Sequence, residues 1–261
     1  MLLSHLKIES KIVPKYVLLP GDSGRVDIIG KQLSDFKIIN QNREFRTGIG
    51  SYKGISILVC STGIGSPSTA IVTEELIDAG AKTLIRVGTC GGAWVKNIPN
   101  GSFIIPSASV RDEGTTIEYI PQGFPAIADS EVIMALKKSA EKNNKKYFIG
   151  INRTHDAFYG NQTSIIKWGQ YLLDKKWKGY DTPIISSDME CSALFVIASL
   201  KGAKAGAILL ANASPEPLID RIKRNKQKVV TESNKKKTKD GLKEIIKIAL
   251  QAIETLNLNK S

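Results

Sequence analysis

Residues 55–92, ISILVCSTGIGSPSTAIVTEELIDAGAKTLIRVGTCGG, decide the fold. A short apolar run ending at Cys60 passes through a loop of small residues into a helical pattern, Ser66 to Gly80. A second apolar run, TLIRVG around Arg86, follows. The helix opens on small capping residues and stops at a glycine. The flanking runs have the length and β-branched content of buried strands. Working outward, YVLLP ending at Pro20, FIIP near Pro106, YFIGI near Ile151 and AGAILLA ending at Ala211 read as further strands. Asp129–Asn143 and Ser192–Gly202 read as helices. Strands alternating with helices predict an α/β fold, one domain over residues 1–261, with a central mixed sheet flanked by helices.

The last segment predicts a C-terminal helix over 239–257. Leu242, Ile245, Ile246, Ala249, Ala252, Ile253 and Leu256 fall at helical spacing and give it one apolar face. No internal repeat or linker divides the chain.

The net charge is +12 over 261 residues, which raises the question of a nucleic-acid partner. The excess is local: residues 221–240, RIKRNKQKVVTESNKKKTKD, hold nine Lys or Arg against two acids. That run carries no aromatic residue for stacking on bases, so a solvated loop is expected rather than a nucleic-acid site. With 42% hydrophobic residues the chain can bury one large core. No stretch is long and apolar enough for a membrane span, and His5, Lys7 and Glu9 interrupt the N-terminus as a signal peptide would not allow. Cys60, Cys90 and Cys191 lie far apart without metal-ligand spacing, which predicts free thiols in the cytoplasm.

Four segments offer chemistry. In LLPGDSGRV a strand ends in Gly21-Asp22-Ser23-Gly24, and Arg25 opens a helix; such a turn can present amides and a guanidinium to an anion, or be an ordinary tight turn. STGIGSPS, residues 61–68, is a small-residue loop that permits close backbone approach or simply caps a helix. In IRVGTCGG, Arg86 sits inside an apolar strand and needs a partner, either a bound anion or a carboxylate such as Glu74 or Glu75. In SSDMECSA, Asp188 and Glu190 stand two apart before a helix; one can hold sugar hydroxyls, and Ser187 or Asp188 can cap the helix.

GDSGRV, NREF, STGIGSPST, EEL, IRVGTCGG, SASVRDEG, FPAIAD, DAFYGNQ and DMECSA occur in one order along nearly the whole chain. In that order they resemble the nucleoside phosphorylases related to uridine phosphorylase and hexameric purine nucleoside phosphorylase. The resemblance implies a nucleoside phosphorylase-like fold. It implies inorganic phosphate as co-substrate, held by Gly21, Arg25, Arg86 and Thr89, with Arg43 reaching in from a neighbouring subunit. For ribose it implies Glu190, Met189 and Asp188, with His5 of an adjacent subunit at the 5′-hydroxyl. Position 188 departs from the family's usual glutamate. For the base it implies Phe158 and Gln162, beside Tyr159, as in uridine phosphorylases, with Asn212 near the place where purine enzymes carry an acidic group.

An asparagine cannot serve as a general acid, which favours uridine over purine nucleosides. The arginine expected two residues after Gln162 is Ser164, and a second pyrimidine-site arginine near Asn212 is absent. His155 reads as a structural residue. Glu44, Ile64 and Ser68 would line a potassium site between subunits, and no other cofactor is implied. The resemblance further implies a hexamer built as a trimer of dimers, in nucleoside salvage. A purine nucleoside or methylthioadenosine phosphorylase is the alternative reading, and a non-catalytic nucleoside-binding protein a second one.

Overall fold

The computed structural model describes residues 1–91, 98–158, 184–212 and 232–258. The strands are β1 (Tyr16–Leu19), β2 (Ser34–Asn42), β3 (Phe45–Tyr52), β4 (Ile55–Cys60), β5 (Thr83–Cys90), β6 (Phe103–Asp112), β7 (Ala126–Ile127), β8 (Tyr147–His155), β9 (Ile184–Asp188) and β10 (Lys204–Ala211). The helices are α1 (Ser23–Gly30), α2 (Ser66–Asp78), α3 (Thr115–Tyr119), α4 (Ser130–Lys142), α5 (Cys191–Leu200) and α6 (Glu232–Leu258).

Among the described residues one mixed sheet runs in the order β2-β3-β4-β1-β5-β10-β6-β8-β9, with β7 alongside β6. β4, β1, β5 and β10 are parallel neighbours, while β2-β3-β4 and β10-β6 are antiparallel. β5 lies in the middle and pairs with β10 residue for residue from Thr83↔Lys204 to Cys90↔Ala211. An isolated bridge from Gly91 to Ser187, with the Gly91 N–H donating to the Ser187 carbonyl at 2.6 Å, ties the end of β5 to β9.

Side-chain alternation along each strand feeds two apolar layers. Val17 and Leu19 of β1, Leu58 of β4, Leu84 of β5 and Leu209 of β10 pack with Val72 and Leu76 of α2 and Leu194 and Phe195 of α5. Tyr16, Leu18, Val59, Ile85, Val87, Ile208 and Leu210 face the other way, onto Val26 and Ile29 of α1, Leu136 of α4 and the α6 stripe. That stripe is the one expected, with Ile245, Ile246, Ala249, Ala252, Ile253 and Leu256 buried. α6 begins at Glu232, so residues 232–240 of the basic run are helix rather than loop, while residues 221–231 lie outside the described ones. Lysine and glutamate are good helix formers, and the packed apolar face further along provides the nucleus from which they extend.

The FPAIAD segment is structural at its end. The Asp129 side chain caps α4, accepting from the N–H groups of Glu131 at 3.0 Å and Val132 at 3.1 Å. Asp129→Ala is expected to cost about 1 kcal/mol of stability, read as a lower urea midpoint with an unchanged slope. An unchanged midpoint would show that α4 is held by its packing alone.

Candidate active site

The carboxyl ends of parallel strands, where an open α/β sheet presents its loops, gather the charged residues. After β1 the chain turns through Gly21 into α1, capped by Asp22, whose side chain accepts from the Gly24 N–H at 2.8 Å. This cap sets Arg25 in the first turn. Arg25 is buried, its Nη1 donates to the Val87 carbonyl at 3.3 Å, and its Nε is buried with no partner among the described residues.

Arg86 reaches the same place from β5. Its Nε donates to Asp188 Oδ2 at 3.0 Å and its Nη2 to Glu190 Oε2 at 2.5 Å, while Nη1 is buried with no partner among the described residues. The side chain can lie back over its own strand because position 88 is glycine; a Cβ there would stand 2.9 Å from the guanidinium carbon. Nη1 points to the Gly21 turn, 3.6 Å from where a Cβ on Gly21 would be. The partners of Arg86 are therefore Asp188 and Glu190, not Glu74 or Glu75. Glu74 pairs with Lys201, and Glu75 holds the N-terminal segment, to which they are closer in the fold.

Glu190 is fixed from both sides. Oε1 accepts from the Gly65 N–H at 3.0 Å and Oε2 from the Met189 N–H at 3.1 Å. Gly65 has φ 97°, a conformation that favours glycine and turns this N–H toward the carboxylate.

The electrostatics of the two guanidiniums differ. Burial lowers the pKa of Arg25, and the neighbouring Arg86 lowers it further, against weaker support from Asp22 and Glu190. For Arg86 burial also acts downward, but Glu190 and Asp188 outweigh it and hold the charge firmly. Burial raises Glu190, Arg86 opposes this and Asp188 adds to it, leaving the carboxyl above its ordinary value. A cluster with one compensated and one under-compensated buried cation, each offering an N–H unused among the described residues, has the chemistry to take an anion.

A sequence model described as "Phosphorylase superfamily" matches residues 15–254. The chain belongs to that superfamily. It is 39% identical over 207 residues to a uridine phosphorylase of Treponema pallidum, covering 79% of this chain and 80% of that one. It is 32% identical over 254 residues to a guanosine phosphorylase of Halorubrum lacusprofundi, covering 97% and 98%. The crystal structure of uridine phosphorylase from Vibrio fischeri superposes with a TM-score of 0.83 at 31% identity, covering 97% of this chain and 96% of that one. The expected family, fold and enzyme class are met: a nucleoside phosphorylase-type pentosyltransferase, similar to uridine phosphorylases.

The other expected residues of this phosphorylase-superfamily chain are placed as follows. Thr89 is half-buried at the end of β5, beside the Arg86 strand end. Met189 is half-buried, its carbonyl accepting from Ser66 Oγ at 3.0 Å. Arg43 is exposed at the β2–β3 turn with φ 53°. His5 is half-buried, with Nδ1 2.7 Å from Glu75 Oε1; an Nδ1–H donated there leaves Nε2 as an outward acceptor. Asn212 follows β10, its backbone N–H donating to the Cys90 carbonyl at 3.0 Å. Phe158 is 62% exposed. Gln162, Tyr159 and Ser164 lie outside the described residues.

Glu44, Ile64 and Ser68 are brought together. Ser68 Oγ donates to the Ile64 carbonyl at 3.3 Å, and the Glu44 side chain packs against Gly63 beside them. These are oxygen donors of the kind that suit a hard monovalent cation. His155 closes β8, its Nδ1 buried without a partner among the described residues and its pKa lowered by burial and then by Arg153. Cys60, Cys90 and Cys191 are free and buried, and burial raises all three thiols, so none is a thiolate nucleophile.

The roles of several positions were not legible in the linear reading, which offered Glu75 only as a possible partner of Arg86. Glu75 accepts from the His5 N–H at 2.7 Å and the Leu6 N–H at 3.0 Å as well as facing the His5 ring, and so sets where His5 stands. Asn152 and Thr154 of β8 reach Asp188. Their only linear trace is polar residues alternating along an otherwise strand-like run.

Proposed function

We propose that the chain cleaves nucleosides with inorganic phosphate, with uridine preferred, giving uracil and ribose 1-phosphate. The observation that carries this reading is the pair of buried N–H groups without a partner among the described residues, Arg25 Nε and Arg86 Nη1, at the strand ends beside a carboxylate already held in place. Phosphate docks between the guanidiniums at Gly21 and Thr89. Charge-assisted bonds fix one of its oxygens for attack on the anomeric carbon. The bond from that oxygen to C1′ forms as the glycosidic C–N bond breaks, and the base departs with the electron pair. Glu190 and Met189 hold the ribose, and the phosphate charge stabilises the oxocarbenium-like transition state. Base recognition is assigned in this reading to Gln162, Phe158 and Asn212 by residue type and motif; amide hydrogen bonds suffice for uracil, which leaves as a stabilised anion.

Arg43 and His5 belong in this reading to the site of a neighbouring copy. Their support is the exposed turn of the one and the acceptor nitrogen that Glu75 leaves free on the other. Sites shared in this way require at least a dimer; the likeness to the phosphorylases extends the reading to a hexamer, a trimer of dimers, with Glu44, Ile64 and Ser68 holding potassium between copies. The free cysteines favour the cytoplasm, and nucleoside salvage is the role that the proposed reaction would serve. A second reading, a purine nucleoside phosphorylase, draws on the likeness to the guanosine phosphorylase over almost the whole chain.

The test is release of free base from uridine, thymidine, inosine, adenosine and methylthioadenosine, each with and without phosphate. Uracil release that requires phosphate is the expected result. Purine release in its place would move the assignment to the second reading, and tight nucleoside binding without product would make this a binding protein.

A further inference from the structure

The Asp188 carboxylate lies below the site rather than in it. Its side chain is 1% exposed. Oδ1 accepts from Asn152 Nδ2 at 2.7 Å and Thr154 Oγ1 at 2.9 Å, and Oδ2 from Arg86 Nε at 3.0 Å. The Cys191 N–H, first in α5, is shared between the two oxygens at 3.3 and 3.2 Å. A carboxylate has about four acceptor positions, and here four donors fill them.

Each donor is itself held. Asn152 Oδ1 accepts from Ser186 Oγ at 2.8 Å, and its Nδ2 also reaches Ser109 Oγ at 3.1 Å. Thr154 Oγ1 is 2.7 Å from Ser109 Oγ and accepts from the Ser192 N–H at 3.0 Å. Asn152, Thr154, Ser186 and Ser192 are completely buried. The network thus joins β6, β8, β9 and the start of α5 in one satisfied cluster, which rigidifies its members.

We propose that Asp188 is a positioning residue for the phosphate-binding arginine and not a ribose ligand. Anchored by Asn152 and Thr154, it grips Arg86 Nε and sets the plane of the guanidinium. Nη2 then meets Glu190 and Nη1 faces the Gly21 turn. The sugar hydroxyls are left to Glu190. This inference rests on the phosphorolysis reading for its kinetic consequences, but the geometry it describes can be tested without turnover.

The experiment compares Asp188→Asn, Thr154→Val and Glu190→Gln with the unaltered protein. Calorimetry measures phosphate binding. Steady-state kinetics give the phosphate KM and the preference for uridine over 2′-deoxyuridine and 3′-deoxyuridine. Thermal melting reports folding. Asp188→Asn and Thr154→Val are expected to weaken phosphate binding about tenfold and raise its KM alike, with sugar preference unchanged. Glu190→Gln is expected to lose the sugar preference. If Asp188→Asn loses that preference, or if a folded Thr154→Val binds phosphate as the unaltered protein does, the proposal is overturned. Should Asp188→Asn not fold, Thr154→Val decides alone. Should the unaltered protein bind phosphate but turn over no nucleoside, the phosphorolysis reading fails, and the phosphate affinities still decide the role of Asp188.

Discussion

Replacing Arg86 by alanine is expected to remove most turnover and to weaken the fold in the same stroke. The guanidinium is the counterion of two buried carboxylates, Asp188 and Glu190, from which it is separated by more than a hundred residues of sequence. Removing it strands both charges in the interior, a loss of about 3–5 kcal/mol for a broken buried pair. For a chain of this length that lowers the melting temperature by about 6–20 °C. Loss of a preorganised charge at the reacting phosphate reduces kcat by a further factor of about 10²–10³. Melting and kinetics on the same preparation check both parts. A variant with normal stability and normal turnover would mean that Arg86 neither balances those acids nor meets phosphate.

Arg25→Ala is expected to separate what Arg86→Ala combines. Arg25 has one long bond, to the Val87 carbonyl, and burial already works against its charge. Its removal leaves no carboxylate stranded, because both acids keep Arg86. Stability without phosphate should hold or rise. The loss appears when phosphate is added: one or two charge-assisted bonds are worth about 1.5–3 kcal/mol, so kcat/KM for phosphate falls about 10- to 150-fold. The rise in melting temperature that phosphate gives the unaltered protein should largely disappear. A variant that still gains the full increment would place the anion elsewhere.

The contrast shows what a linear reading could and could not supply. Strands and helices with strong apolar patterning were legible nearly to the residue: ISILVC is β4, and Ser66 does open α2. β2 escaped notice because most of its residues are exposed or half-exposed, so it carries no buried alternation to detect. That Arg86 required a buried partner was legible from a charge inside an apolar run. Which partner was not, since the choice between Glu75 and the acids at 188 and 190 is made by the order of strands in the sheet. Asp188 illustrates the same limit. Its residue type and place in the motif suggested sugar binding, while the hydrogen bonds that occupy it come from β8, whose alternation of Asn152 and Thr154 becomes meaningful only once β8 and β9 are neighbours.

β5 is paired along its full length with β10 and along its first half with β1. A one-residue slip of a strand exchanges its two faces. A single codon inserted or deleted before Arg86 in this strand would leave composition and charge almost untouched, yet turn the guanidinium toward the α6 layer and put an aliphatic side chain beside Asp188 and Glu190. Length variation among descendants of this gene should therefore be confined to the surface turns, and a β5 that changed length would be a lineage that had lost its chemistry.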